Sequence, residues 1–201
     1  MIQNIFIGAH YPKFMLELKF FGRAGQGGKT AAELIADAAL DEGKFIQSFP
    51  EYGPEREGAP VKAFVRIADK PVRLHCSIKS ADIVVVIDPT LLECLDVIEG
   101  LKEDGLLVVN TPKTLKDIRE QTSFKGRICT VDGTKISMEV FGINFPNMPI
   151  LGALVKSTDI VKFKSLENQI ICKFLEKIGE EKTKKNIELV KRAHEEAQID
   201  G

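Results

Sequence analysis

The segment 83–87 (IVVVI) constrains the fold more than any other feature of this 201-residue chain. Five consecutive β-branched residues are typical of a strand buried on both faces, as in the middle of a parallel sheet. Alternating or apolar segments predict five more strands, at residues 16–21, 44–49, 61–68, 106–109 and 127–131. The chain therefore needs helices on both faces of a sheet to cover this central strand.

Helical signals lie between and after these strands. Segment 29–42 has apolar residues at helical spacing, and Gly43 supplies a C-terminal stop. Shorter helices are predicted at residues 90–98, 113–120, 134–141 and 151–157. Two more are marked by apolar repeats: Leu166, Ile170, Phe174 and Ile178, then Ile187, Val190, Ala193 and Ala197. The alternation predicts an α/β fold: a three-layer αβα domain with a mostly parallel, Rossmann-like sheet and C-terminal helices.

Composition narrows the class of protein. The 28 basic and 29 acidic residues give a net charge of −1, which disfavours a nucleic-acid binder. No apolar run approaches the ~20 residues that span a bilayer, so no membrane is expected as a partner. Residues 1–14 lack the pattern of a signal peptide and are interpreted as an N-terminal extension to one domain, residues 15–201. We expect a cytoplasmic protein.

The spacing of the cysteines also favours a cytoplasmic protein. Cys76, Cys94, Cys129 and Cys172 are far apart, without the close spacing of zinc ribbons or iron–sulfur sites. Buried free thiols in a reducing cytosol are expected, and no metal site.

Four groups follow predicted strands, where ligands of parallel sheets gather: the glycine loop (residues 22–28), Asp88, Asn110-Thr111 and Asp132. The glycine loop does not match a phosphate-binding P-loop, because Arg23 stands where that motif needs glycine. It also fails the dinucleotide fingerprint at Thr30. Two interpretations stay open: an anion site at a helix N-terminus, or a tight turn that lets the helix pack closely on the sheet.

No convergent acid–base set is visible in the sequence. His10, His75 and His194 are scattered, so the chain is not expected to complete a reaction alone. Residues 49–60 are predicted to form a loop, whose three prolines restrict its conformational freedom. Its Tyr52, Glu55 and Arg56 predict a subunit interface rather than a solvated connection.

Together these segments carry a family resemblance. Five motifs occur in a fixed order along the chain, with the run 82–89 between the third and the fourth. In order, they are GRAGQG (22–27), FPEYGPER (49–56), GAP (58–60), VNTP (109–112) and LGAL (151–154). The combination closely resembles the gamma subunit of pyruvate (or 2-ketoisovalerate) ferredoxin oxidoreductase over residues 15–197. The FPEYGPER loop favours pyruvate over 2-oxoglutarate. Many relatives carry two consecutive arginines where this chain has Arg56-Glu57.

The resemblance implies a function. The family divides a thiamine-diphosphate enzyme over alpha, beta, gamma and delta chains, which oxidatively decarboxylates a 2-oxoacid, acylates coenzyme A and reduces ferredoxin. It implies that thiamine diphosphate, magnesium and iron–sulfur clusters lie on the partner subunits, with no cofactor bound by the gamma chain alone. We expect Gly22, Arg23, Gly25, Gln26 and Gly27 to line a coenzyme A channel, with Arg23 gripping a phosphate. Alternatively, Arg23 pairs with a carboxylate of a neighbouring subunit. The competing hypothesis is a free-standing α/β module that binds an anion or nucleotide.

Overall fold

Seven strands form one sheet in the order β2-β3-β1-β4-β5-β6-β7. The computed structural model describes residues 15–51, 58–74 and 76–200. The strands are β1 Met15–Arg23, β2 Phe45–Glu51, β3 Pro60–Ala68, β4 Ala81–Val86, β5 Leu101–Asn110, β6 Arg127–Val131 and β7 Gln198–Ile199. The helices are α1 Gly28–Asp41, α2 Leu91–Cys94, α3 Leu115–Thr122, α4 Gly133–Phe141, α5 Pro149–Ser157, α6 Phe163–Ile178 and α7 Glu180–Glu196.

Residues 83–86 of the β-branched run lie in β4, the middle strand, as predicted, and Ile87 follows directly after it. β4 pairs in parallel with β1 on one side and with β5 on the other, and β5 pairs in parallel with β6. β3 is antiparallel to both β1 and β2, and β7 is antiparallel to β6. The β2–β3 connection contains no crossover helix among its described residues, and a short connection of this kind joins antiparallel strands. The sheet is therefore mixed, with a parallel centre.

Two hydrophobic cores cover the two faces of the sheet. On the first face, Leu16, Leu18 and Phe20 of β1 pack with α1, α5, α6 and α7. On the second, Phe21 packs with Val84 and Val86 of β4 and with residues of α2 and α3. This confirms the three-layer architecture, with the thicker helical layer on the first face.

The first helical layer depends on one close approach. A Cβ atom at Gly152 of α5 would lie 2.1 Å from the carbonyl oxygen of Val190 in α7. Glycine alone allows the two helix backbones to approach so closely.

The helix predicted at residues 90–98 is wrong: α2 ends at Cys94, and Leu95 is extended at φ −134° and ψ 146°. Beyond it, the N–H of Val97 donates to the carbonyl of Leu95 and the N–H of Glu99 donates to the carbonyl of Asp96, so turns replace the helical hydrogen bonds. Val97 is buried in the second core, with Leu95 and Ile98 packed against it, so tertiary packing overrides the helical pattern.

The expectation of buried thiols is also wrong for most of the cysteines. Cys129 is buried, and burial raises the pKa of its thiol to about 11. Cys76, Cys94 and Cys172 are exposed because they lie on the solvent-facing sides of their segments.

Within the ranges described, no helix combines the length and apolarity needed to cross a bilayer.

Val85→Asp is expected to lower the free energy of unfolding by roughly 3–5 kcal/mol, because Val85 is fully buried in β4 and would place an unpaired charge in the core. Leu74→Asp, at a position 44% exposed, is the control and should cost about 0.5 kcal/mol or less. Urea denaturation measures both. Equal losses would contradict the central position of β4.

Candidate functional site

The carboxyl ends of β1 and β4 form the switch point of the sheet. β1 leads through α1, on the first face, toward β2, whereas β4 leads through α2, on the second face, toward β5. The two connections diverge in opposite directions, which opens a crevice between the adjacent strand ends. The glycine loop follows β1, and Asp88 follows β4, so both lie at this crevice.

The glycine loop leaves the N-terminus of α1 uncapped. Gly27 is the N-cap residue in the left-handed conformation (φ 74°, ψ 22°), no side chain caps the helix, and its first turn contains no acidic residue. The first N–H groups of a helix without a cap carry partial positive charge and favour an anion. Gly25 (φ 93°) also needs glycine's freedom.

The carboxylate of Asp88 ties the two strand ends together. Its Oδ1 accepts hydrogen bonds from the hydroxyl of Thr90 (2.6 Å) and from the Thr90 backbone N–H (2.9 Å). Its Oδ2 accepts from Nε2 of Gln26 (2.6 Å) and lies 3.2 Å from Nε of Arg23. Oε1 of Gln26 in turn accepts from the backbone N–H of Arg23 at 2.7 Å. We call these four residues the Asp88 network.

Arg23 is held from two sides. Its Nη2 donates to Oγ1 of Thr90 at 2.8 Å, and its Nη1 donates to the carbonyl of Gly58 at 3.1 Å. Arg23 therefore pairs with a carboxylate of its own chain. Its side chain is 31% exposed, and of the five guanidinium N–H groups, one on each terminal nitrogen has no hydrogen-bond partner among the described residues.

Burial alone would raise the pKa of Asp88. The hydrogen bonds from Thr90 and Gln26 and the charge of Arg23 outweigh that effect, so the pKa lies below its usual 3.8. Asp88 is an anion at neutral pH, which keeps its role that of an acceptor rather than of a general acid.

Two pockets flank the network. The glycine-loop pocket, of about 380 Å³, is lined on one side by Gly22, Arg23, Gly25, Gly27, Gly28 and Lys29. On the other side it is lined by residues 59–61, at the start of β3. The strand-end pocket, of about 500 Å³, is lined by Gln26, Asp88, Thr90, Asn110, Asp132 and Thr134. The glycine-loop pocket holds two cationic side chains, Arg23 and Lys29, and the uncapped helix N-terminus.

The structure brings the predicted groups to one edge. The crevice wall is formed by Gly22, Arg23, Gly25, Gln26 and Gly27. The adjoining strand-end pocket is lined by Asp88, Asn110 and Asp132. Thr111 is buried beside them. Ligand binding by these residues stays a prediction.

The predicted interface residues Tyr52, Glu55 and Arg56 lie outside the described residues. Sequence reasoning missed Thr90 and Asn147. The Asp-x-Thr spacing, which suits a turn in which the carboxylate accepts from the residue two positions on, could have indicated Thr90. No local signal indicates Asn147, since it contacts the loop from 120 positions away.

Across residues 15–51, 58–74 and 76–200, no three or more His, Cys, Asp or Glu side chains come together as metal ligands.

Asp88→Asn should lower the free energy of unfolding at pH 7 by about 1–3 kcal/mol, because it removes a charged acceptor with several partners. The folded-state pKa is depressed, so the contribution of Asp88 is complete above pH 3.8 and is lost as pH falls through the folded pKa. Denaturation of both proteins from pH 7 to pH 3 should show the difference shrinking only below pH 4. A difference that grows with falling pH would exclude the network. Glu93→Gln, at an exposed position on α2, is the control and should cost less.

Residues 17–196 match the protein family described as Pyruvate ferredoxin/flavodoxin oxidoreductase. The chain is 46% identical over 186 residues to "Pyruvate/ketoisovalerate oxidoreductases common subunit gamma" of Pyrococcus abyssi, covering 92% of this chain and 98% of the relative. It is 45% identical over 184 residues to "Pyruvate synthase subunit PorC" of Thermotoga maritima, covering 92% and 95%.

The fold is shared as well. The crystal structure of the pyruvate oxidoreductase subunit PORC of Thermotoga maritima matches with a TM-score of 0.83 at 43% identity, over 94% of this chain and 100% of that one. This match agrees with the resemblance found in the motifs. The chain belongs to the pyruvate ferredoxin/flavodoxin oxidoreductase family.

Proposed function

We propose that this chain is the gamma subunit of a 2-oxoacid:ferredoxin oxidoreductase, a pyruvate synthase. The assembled enzyme converts pyruvate, coenzyme A and oxidised ferredoxin to acetyl-coenzyme A, carbon dioxide and reduced ferredoxin. The proposal rests on one observation: the similarity covers 95% and 98% of the length of two relatives that are named as subunits of such enzymes. The same observation does not favour a free-standing binding module.

The partners in this proposal are alpha, beta and delta subunits, with ferredoxin as the electron acceptor and the cytoplasm as the compartment. Thiamine diphosphate, magnesium and the iron–sulfur clusters belong to the partner subunits. The gamma subunit then contributes binding and positioning rather than the redox chemistry.

For the glycine loop we propose contact with a phosphate of coenzyme A. Phosphate is an anion that accepts several hydrogen bonds, and the loop offers the N-terminal N–H groups of α1 beside Arg23 and Lys29. The Asp88 network fixes the direction of the guanidinium before the ligand arrives, which lowers the entropic cost of binding. The glycines keep side chains out of the path to the backbone.

In the reaction, these residues bind and orient coenzyme A. The helix N–H groups and Arg23 hold the phosphate end, which directs the thiol end toward the partner subunits where the acyl group forms. No proton transfer is assigned to the gamma chain, since Asp88 is an anion whose oxygens already accept hydrogen bonds.

Arg23→Ala in the assembled enzyme is expected to raise the KM for coenzyme A about 10- to 100-fold, the loss of hydrogen bonds to a charged group. The KM for pyruvate and kcat at saturating coenzyme A should change little. Steady-state kinetics of the complex measures all three.

The matched control is Arg192→Ala. Arg192 is also ion-paired and 29% exposed, but it lies on α7. A KM for coenzyme A that is unchanged by Arg23→Ala, or raised equally by both substitutions, would reject the phosphate contact.

A further prediction concerns the proline-rich loop. Tyr52→Ala combined with Arg56→Ala should weaken complex formation at least tenfold, because aromatic and arginine side chains supply most of the affinity of many interfaces. Arg73→Ala, an exposed position in the next loop, is the control. Pulldown of the partner subunits measures the affinity, and circular dichroism checks the fold. Wild-type affinity in the double variant would remove this loop from the interface.

A further inference from the structure

Asn147 lies beneath the glycine loop, in the turn that precedes α5. It is fully buried, with 0% exposure, and it comes from a part of the chain far from β1 and α1. A Cβ atom at Gly27 would be 2.4 Å from its Nδ2 and 2.9 Å from its Cγ. The amide of Asn147 therefore packs directly against the N-cap residue of α1.

The hydrogen bonds of this amide are one-sided. Nδ2 donates to the carbonyl of Gly27 at 3.4 Å, while the buried Oδ1 has no partner among the described residues. Asn110, another buried asparagine near the site, uses both ends: Nδ2 donates to Ile87 and Thr134, and Oδ1 accepts from the N–H of Thr134. An unmatched buried oxygen is unfavourable, so packing alone does not account for an amide at position 147.

The hydrogen bond from Asn147 bears on the orientation of the peptide group between Gly27 and Gly28. The carbonyl of Gly27 also accepts from the N–H of Ala31 at 3.0 Å, so two donors fix the peptide group between Gly27 and Gly28. In a trans peptide the C=O and N–H point in opposite directions. Holding the carbonyl toward the helix thus directs the N–H of Gly28 outward, and Gly28 lines the glycine-loop pocket.

We propose that Asn147 is a positioning residue for this reaction: it holds the Gly27–Gly28 peptide so that the Gly28 N–H points at the phosphate of coenzyme A. This inference rests on the proposed phosphate contact of the glycine loop. Asn147 itself touches no ligand and acts through the loop backbone.

The test uses the assembled enzyme with Asn147→Asp, which keeps the shape but replaces the amide donor by a carboxylate. The KM for coenzyme A should rise about tenfold, with kcat at saturating coenzyme A within about twofold of wild type, as expected for the loss of one aligned donor. Asn186→Asp is the matched control, since Asn186 is a buried asparagine on α7 whose Nδ2 donates to the carbonyl of Lys182. It should leave the KM unchanged.

The outcomes separate this inference from the one it rests on. If Arg23→Ala raises the KM for coenzyme A and Asn147→Asp does not, the phosphate contact stands and the positioning role is overturned. If neither substitution raises it, the phosphate contact itself fails.

Asn147→Ser, which leaves room for water, serves as a second variant if Asn147→Asp does not assemble. An assembled Ser variant with a raised KM and a normal kcat supports the role. Loss of assembly in both variants, or a lower kcat with an unchanged KM, shows a structural role only and overturns the proposal.

Discussion

The carboxylate of Asp88 is the contact on which the site depends. It accepts hydrogen bonds from Thr90 and Gln26 and pairs with Arg23, so one side chain after β4 fixes the loop after β1. Parallel pairing brings these two strand ends together, and the divergence of α1 and α2 onto opposite faces keeps the space between them open. The Asp88 network holds the guanidinium of Arg23 in a fixed direction at this crevice.

Much of the fold could be predicted because its signals are local. The β-branched run of β4 and the helical spacing in α1 are properties of short segments, and both elements formed where expected. The failures have tertiary causes. Leu95, Val97 and Ile98 pack on the second core through turns, where a longer α2 was expected. Strand β7 has only two residues and depends on pairing with β6. No local sequence pattern predicts this pairing.

Some features of the site could also be predicted from the sequence, and others could not. The grouping of the glycine loop with Asp88 follows from the rule that parallel strands end at one edge, so sequence order was enough to predict it. The internal pairing of Arg23 with Asp88 was not predicted, since charge complementarity in the sequence does not say which carboxylate a guanidinium reaches. Asn147 was not predicted because its contact with Gly27 joins the turn before α5 to the N-terminus of α1, 120 positions apart in the chain.

We propose above that the glycine loop at the β1–β4 switch point holds a phosphate of coenzyme A. A structure of the assembled enzyme with coenzyme A bound tests it most directly. In that structure we expect a phosphate oxygen about 3 Å from the backbone nitrogen of Gly28 and within hydrogen-bonding distance of Arg23. Coenzyme A phosphates bound elsewhere, with the glycine loop facing only protein side chains of a partner subunit, would contradict it.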